Sequence, residues 1–214
     1  MPDLVVRRLV NPTEHEFHQA QVVLSAAFAR SPDTFGRSLL GGDTSLGPQL
    51  QLAMLRAGAI GGEVWVAGFS PSDISAVAVW FGPGAEYLAT EEQRAAGWDQ
   101  LMAGFSPELK RWWTEYYIPR SSAWIESCLG EGTRTKSWHC QLLGTSPDHQ
   151  RKGLSAALIQ AVESKAIADG VMMCLETTNE PNVTFYKRRG FVVRGNISIV
   201  GSGGEITMTC LSKP

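Results

Sequence analysis

Six consecutive residues, Gln150-Arg151-Lys152-Gly153-Leu154-Ser155, carry a clear chemical signal. An apolar strand runs into them through Leu142-Leu143-Gly144-Thr145, and Pro147 breaks it. Leu154, Ala157, Leu158, Ala161, Val162 and Lys165 then recur at helical spacing as far as Gly170, a good stop because glycine takes the left-handed conformation without strain. A helix N-terminus has free N–H groups and partial positive charge, and so favours acids. This spacing instead puts Arg151 and Lys152 in the first turn, with no acid between Asp148 and Glu163. Two accounts stand: an ordinary helix start with two solvated cations, or a site whose missing partner is a bound anion. In the second, backbone N–H groups of Arg151 to Ala156 cradle the anion and Gly153 lets the backbone approach it.

After that helix and one further strand comes Asn182-Val183-Thr184-Phe185-Tyr186-Lys187-Arg188-Arg189-Gly190-Phe191. Together the two stretches resemble the GNAT superfamily of acyl-CoA-dependent N-acyltransferases. The first motif of that family reads Gln/Arg-x-x-Gly-x-Gly/Ala, against Gln150 to Ser155 here. The second has an Asn, a Tyr and a Gly-Phe, against Asn182, Tyr186 and Gly190-Phe191. Ser155 departs from the family's Gly or Ala, although it too is small. The resemblance is clear over about Ser137–Leu211 and is a matter of element order before that.

Transfer of an acetyl group from coenzyme A to an amine makes three demands. A pyrophosphate must be held, which suits the 150–156 loop. The attacking amine must be neutral, although an amine like that of lysine has a pKa of about 10.4. The departing thiolate must be protonated or otherwise stabilised. The resemblance implies that Gln150, Arg151, Lys152, Gly153, Leu154, Ser155 and Ala156 hold acetyl-CoA. It also implies that the pantetheine arm runs along Leu143, Gly144 and Thr145, where the two middle strands splay; Gly144 suits a bulge there, or the strand simply ends before Pro147. Asn182 then contacts the arm or caps a helix, and Tyr186 is the general acid near the sulfur. For the base, two residues fall near the splay: His139, at the position of a catalytic Glu in the histone acetyltransferase branch, and Glu176. A neutral imidazole is available at pH 7, whereas Glu176 needs its pKa raised by burial. Proton loss through water is a third route.

The elements must bring these residues together. Leu4–Val10 reads as a strand, and a helix follows from Thr13, its N-cap. Ser31-Pro32 opens a turn, Gly41-Gly42-Asp43 is a loop, and Leu46–Ile60 reads as a second helix. Glu63–Phe69 and Ile74–Phe81 form a hairpin. Beyond a long section come strand Ser137–Leu143, the Gly153 helix, strand Val171–Leu175, helix Pro181–Arg189, and strands Phe191–Val200 and Ile206–Leu211. The expected fold is therefore α/β (α+β): one GNAT-like domain over 1–214, a mixed sheet with helices on both faces. A helical insertion of about 83–136 separates strands 3 and 4, and the acetyl-CoA-binding core is about 137–211. A connection of that length is functional or carries its own elements. Helices are expected from Thr90 and Ser106, and the section holds Trp98, Trp112, Trp113, Tyr116, Tyr117 and Trp124. Those rings form a small core of their own or wall the acceptor pocket.

With 214 residues, 43% hydrophobic and 19% charged, the chain reads as a globular protein able to bury a substantial core. A net charge of −2 does not point to nucleic acid. No apolar run has the length of a membrane span, and the first residues lack the pattern of a signal peptide, so a cytoplasmic location is expected. Cys128, Cys140, Cys174 and Cys210 lack zinc spacing and read as buried free thiols; no metal is expected. No P-loop, nucleophile elbow or dinucleotide fingerprint is present. The reading is an N-acetyltransferase using acetyl-CoA on a small-molecule amine rather than a protein, with a homodimer left open. The alternative is a CoA-binding sensor or interaction module without transfer activity.

Overall fold

The computed structural model describes residues 3–29 and 34–214. The turn expected at Ser31-Pro32 lies outside the described residues. Strand β1 (Val5–Leu9) leads into helix α1 (Glu14–Ala29). Thr13 Oγ1 accepts from Glu16 N (3.2 Å) and Glu16 Oε2 accepts from Thr13 N (3.0 Å), a reciprocal pair that satisfies two N–H groups at the helix start. Helix α2 (Thr34–Leu39), for which the sequence reading made no provision, precedes α3 (Gly47–Gly61). Strands β2 (Glu63–Gly68) and β3 (Ala76–Phe81) form the expected hairpin.

The expected insertion is helical. Helix α4 (Glu91–Gln93), capped by Thr90, passes through a π-helical stretch at Arg94–Trp98 into α5 (Asp99–Ala103), with Gly97 at φ 149 supplying the kink. Helix α6 (Pro107–Arg111), capped by Ser106, likewise runs through Trp112–Tyr117 into α7 (Ile118–Leu129). Strand β4 (Trp138–Thr145), helix α8 (Leu154–Asp169), strand β5 (Met173–Thr177), helix α9 (Glu180–Lys187) and strands β6 (Val192–Gly201) and β7 (Gly204–Lys213) complete the chain.

The seven strands form one sheet in the order β1-β2-β3-β4-β5-β7-β6, in which β4 and β5 are parallel and the other pairs antiparallel. Alternation along the strands builds a core on each face. Trp80, Trp138 and Cys140 join Leu154, Leu158 and Val162 of α8 and Tyr186 of α9 on one side. Val64, Val77 and Val79 join Phe17 and Leu24 of α1 and Leu55 of α3 on the other. Two smaller cores hold the insertion, one around Trp98 and Trp113, the other around Trp124, Ile199 and Met208. All four cysteines are free thiols; Cys140, Cys174 and Cys210 are buried in strands and Cys128 is half-buried. No helix among the described residues is long and apolar enough to cross a membrane.

Candidate active site

Strand β4 pairs with β5 only from Trp138 to Cys140, opposite Met173 to Leu175, and the two then part. Pairing of β4 with β3 slips at the same place: Trp80 faces Cys140 but Val79 faces Leu142, leaving Gln141 as the extra residue. A bulge bends its strand and increases local twist, which accounts for the divergence. The bulge is therefore at Gln141, not at Gly144 as expected. Gly144 is glycine for packing: a Cβ there would stand 2.8 Å from Leu24 Cδ2 and 3.3 Å from Ala27 Cβ, where α1 crosses β4. Beyond Cys140 the β5-facing edge of β4 has no strand partner, so backbone groups around Leu143, Gly144 and Thr145 remain available to an extended ligand.

The loop after β4 also differs from expectation. Helix α8 begins at Leu154, so Arg151 and Lys152 precede the first turn rather than occupy it. Arg151 (φ 64) and the N-cap Gly153 (φ 91) both take the left-handed conformation. No side chain caps α8 and no acid lies in its first turn, so its first N–H groups open outward. Thr145 and Ser155 hydroxyls are 2.5 Å apart, which ties the end of β4 to the start of α8 and gives the serine at this position a use. Gln150 Nε2 donates to Thr145 O at 3.4 Å. Lys152 does not join the group: its Nζ sits 5.7 Å from the centroid of the Phe69 ring, outside the residues that line the cleft described next.

That cleft, of ≈ 2460 Å³, runs through the sheet from α8 to the insertion. His139, Leu143, Gly144, Thr145, Gln150, Arg151, Gly153, Leu154, Ser155, Ala156, Glu176, Asn182 and Tyr186 all line it. Asn179, not Asn182, caps α9: its side chain accepts from Asn182 N at 2.9 Å, which leaves the exposed Asn182 side chain at the cleft. Tyr186 is buried against Phe185 and Phe191. Burial, reinforced by nearby Cys140, pushes its phenol well above the ordinary value, so it carries its proton at neutral pH.

His139 and Glu176, read from sequence as rival bases, are bonded to each other: Nε2 to Oε2 is 2.8 Å. The parallel register sets His139 beside Cys174, so Glu176, two residues on, lies diagonally across on the same face. Burial alone would raise the Glu176 carboxyl, but the charge and hydrogen bond of His139, with Arg134 beyond, outweigh it and leave the carboxyl below its usual range. The raised pKa that a lone Glu176 base required is not found. The charged neighbours Arg134 and Glu86, themselves ion-paired, were missed in the sequence; a contact across 48 residues leaves no local signal. Of the six rings singled out in the insertion, Trp98, Trp113 and Tyr117 line the cleft and Trp112, Tyr116 and Trp124 do not; Tyr87, from the same section, lines it too.

Residues 121–193 match the family model described as an acetyltransferase (GNAT) domain. Over those residues the chain is similar to GNAT acetyltransferase domains. Solved GNAT-type structures share its fold over nearly the whole length. One is described as histone acetyltransferase HPA2 and related acetyltransferase from Corynebacterium glutamicum, 22% identical, TM-score 0.61, covering 99% of this chain and 96% of that one. Another is a Drosophila melanogaster polyamine N-acetyltransferase that forms N-acetylagmatine, 15% identical, TM-score 0.59, covering 98% and 99%. A third is the ribosomal-protein-S18-alanine N-acetyltransferase of Escherichia coli, 13% identical, TM-score 0.51, covering 99% and 94%. The matched residues run from within α7 to the first residues of β6 and include the splay, the α8 N-terminus, Glu176 and Tyr186.

Proposed function

We propose that the chain is an N-acetyltransferase that moves an acetyl group from acetyl-CoA to a primary amine by direct attack. The observation that carries this is the splay of β4 and β5, where one cleft joins the uncapped start of α8 to the His139–Glu176 pair on one side and Tyr186 on the other. The outward N–H groups of α8, with Arg151 beside them, suit the pyrophosphate of the co-substrate, and the unpaired edge of β4 suits its amide-bearing arm. On this reading the His139 imidazole takes a proton from the amine, and Glu176, bonded to its Nε2, orients the ring. The amine nitrogen forms a bond to the acyl carbon, the carbon–sulfur bond breaks, and the Tyr186 phenol gives its proton to the sulfur. The polyamine and agmatine enzymes of similar fold act on small amines, which supports an amine acceptor of low molecular weight.

Release of free CoA from acetyl-CoA, measured with a panel of small amines and peptides, tests the reading. Amine-dependent release is the expected result. Tight acetyl-CoA binding with no release for any acceptor would instead make the chain a CoA-binding module.

A further inference from the structure

The insertion side of the cleft carries polar atoms that acetyl transfer does not engage. Among the described residues, Glu176 Oε1 is buried without a partner while Oε2 holds His139, and Tyr87 Oη is likewise buried and unpaired. Both residues line the cleft, as does Tyr117. Burial first, and then the charge of Glu176, push the Tyr117 phenol upward; burial and then Tyr117 do the same to Tyr87. Tyr87 and Tyr117 pack on one cluster, around Trp98 and Trp113, and with Glu176 they line the insertion side of the cleft. Buried polar groups are ordinarily paired, so this end is built to receive a hydrogen-bond donor.

The two phenols pack with the apolar lining residues Phe35, Leu39, Met54, Trp98 and Trp113, while Arg37, Gln51, Ser121 and Ser122 line other parts of the cleft wall. The lining carboxylate Glu86 is already paired with Arg134. Glu205 also lines the cleft, but on the exposed hairpin, bonded to Ser198. A second ammonium beside the first would meet the apolar residues that pack around the phenols, with no free carboxylate among them. The two elements at this end are also joined: Gly203 N donates to Ser38 Oγ (3.0 Å) and Ser202 Oγ to Arg37 O (3.2 Å), tying the β6–β7 turn to α2. A polypeptide acceptor would need that side open.

Resting on the acetyltransferase reading, we propose that the acceptor is a small primary monoamine with an apolar or aromatic body. Glu176 Oε1 and the hydroxyls of Tyr87 and Tyr117 receive its nitrogen, and the aromatic walls receive its body. Initial rates with acetyl-CoA compare phenethylamine and hexylamine against putrescine, spermidine and a short peptide with a free N-terminus. The monoamines are expected to lead in kcat/KM by at least about tenfold; preference for the diamine, the polyamine or the peptide overturns the proposal. Tyr87→Phe and Tyr117→Phe are each expected to raise the KM for phenethylamine about tenfold and leave that for acetyl-CoA unchanged. An unchanged amine KM in both removes the phenols from the site and overturns the assignment. If no amine is acetylated, the transfer reading fails, and calorimetry of phenethylamine with the CoA-loaded protein judges the pocket separately. Binding that weakens in Tyr87→Phe upholds the pocket, and absence of binding overturns it.

Discussion

Burial keeps the Tyr186 phenol protonated at neutral pH, so on the proposed reading it is the donor and not the acceptor of a proton. Tyr186→Phe removes the proton and keeps the ring that packs on Phe185 and Phe191. Turnover should fall by roughly 10²-fold with acetyl-CoA affinity nearly intact, a split that steady-state kinetics with calorimetry measures; equal turnover would remove Tyr186 from the proton path. His139 is tested through the shape of the pH–rate profile. If it is the base, His139→Ala removes the acid limb, whereas a limb unchanged both there and in Glu176→Gln means that water carries the proton away. Gly153 tests the co-substrate loop. Its φ of 91 strains any residue with a side chain, at a cost of about 1–2 kcal/mol. A Cβ there would meet nothing nearer than Leu4 Cδ1 at 3.6 Å, so the core itself is not disturbed. Gly153→Leu should therefore fold and lose measurable affinity for acetyl-CoA, and undiminished calorimetric affinity in the folded variant would place the anion elsewhere.

The elements were legible wherever their signals are local. Thr13, Thr90 and Ser106 stand three residues before the N–H groups that they cap, and period-two alternation marked the β2–β3 hairpin. Helix α2 was not legible: it is six residues long, and its position depends on distant bonds such as Trp113 Nε1 to Leu39 O at 2.9 Å. The bulge was assigned to Gly144 because glycine in a strand permits one, but a slip at Gln141 depends on the register against β3, which no single strand encodes. His139 and Glu176 were each identified, but their pairing follows from which residues of β4 and β5 lie abreast. The rings of the insertion fall into two sets, one packed on β6 and one lining the cleft. Trp112 Nε1 donates to Val200 O (2.8 Å) and Tyr116 Oη accepts from Val200 N (3.1 Å), so those two rings fasten the insertion to β6. Trp113 and Tyr117 face the cleft. Alanine at Trp113 or Tyr117 should raise the amine KM more than the acetyl-CoA KM. Alanine at Trp112 or Tyr116 should lower the unfolding midpoint without that asymmetry, and the same kinetic effect at all four would deny the division.

At the scale of the molecule, the His139–Glu176 pair links the candidate active site to global stability. The pair lies under the insertion, between the strands on which the sheet divides, and Glu176 is held below its ordinary value of 4.5 by His139 and Arg134 against the opposing effect of burial. A carboxyl with a folded pKa below its unfolded one releases its proton more readily in the folded state. The stability it contributes is fully present above the unfolded value and is lost as pH falls through the folded value, because over that window the unfolded chain binds more protons. Glu16 is shifted the same way, first by the Thr13 backbone hydrogen bond and also by Arg7, and adds to the same limb. Urea midpoints should therefore stay level from neutrality down to about pH 4.5 and decline below it. Glu176→Gln cannot ionise, so its midpoint at pH 7 should be lower but its decline below pH 4.5 shallower than that of the natural chain. Parallel declines in the two proteins would mean that the proton uptake belongs to other carboxylates and that the pair contributes nothing to acid sensitivity. A shallower decline in Glu176→Gln, together with an altered acid limb in the rate profile of the same variant, would tie acid stability and amine deprotonation to one hydrogen bond.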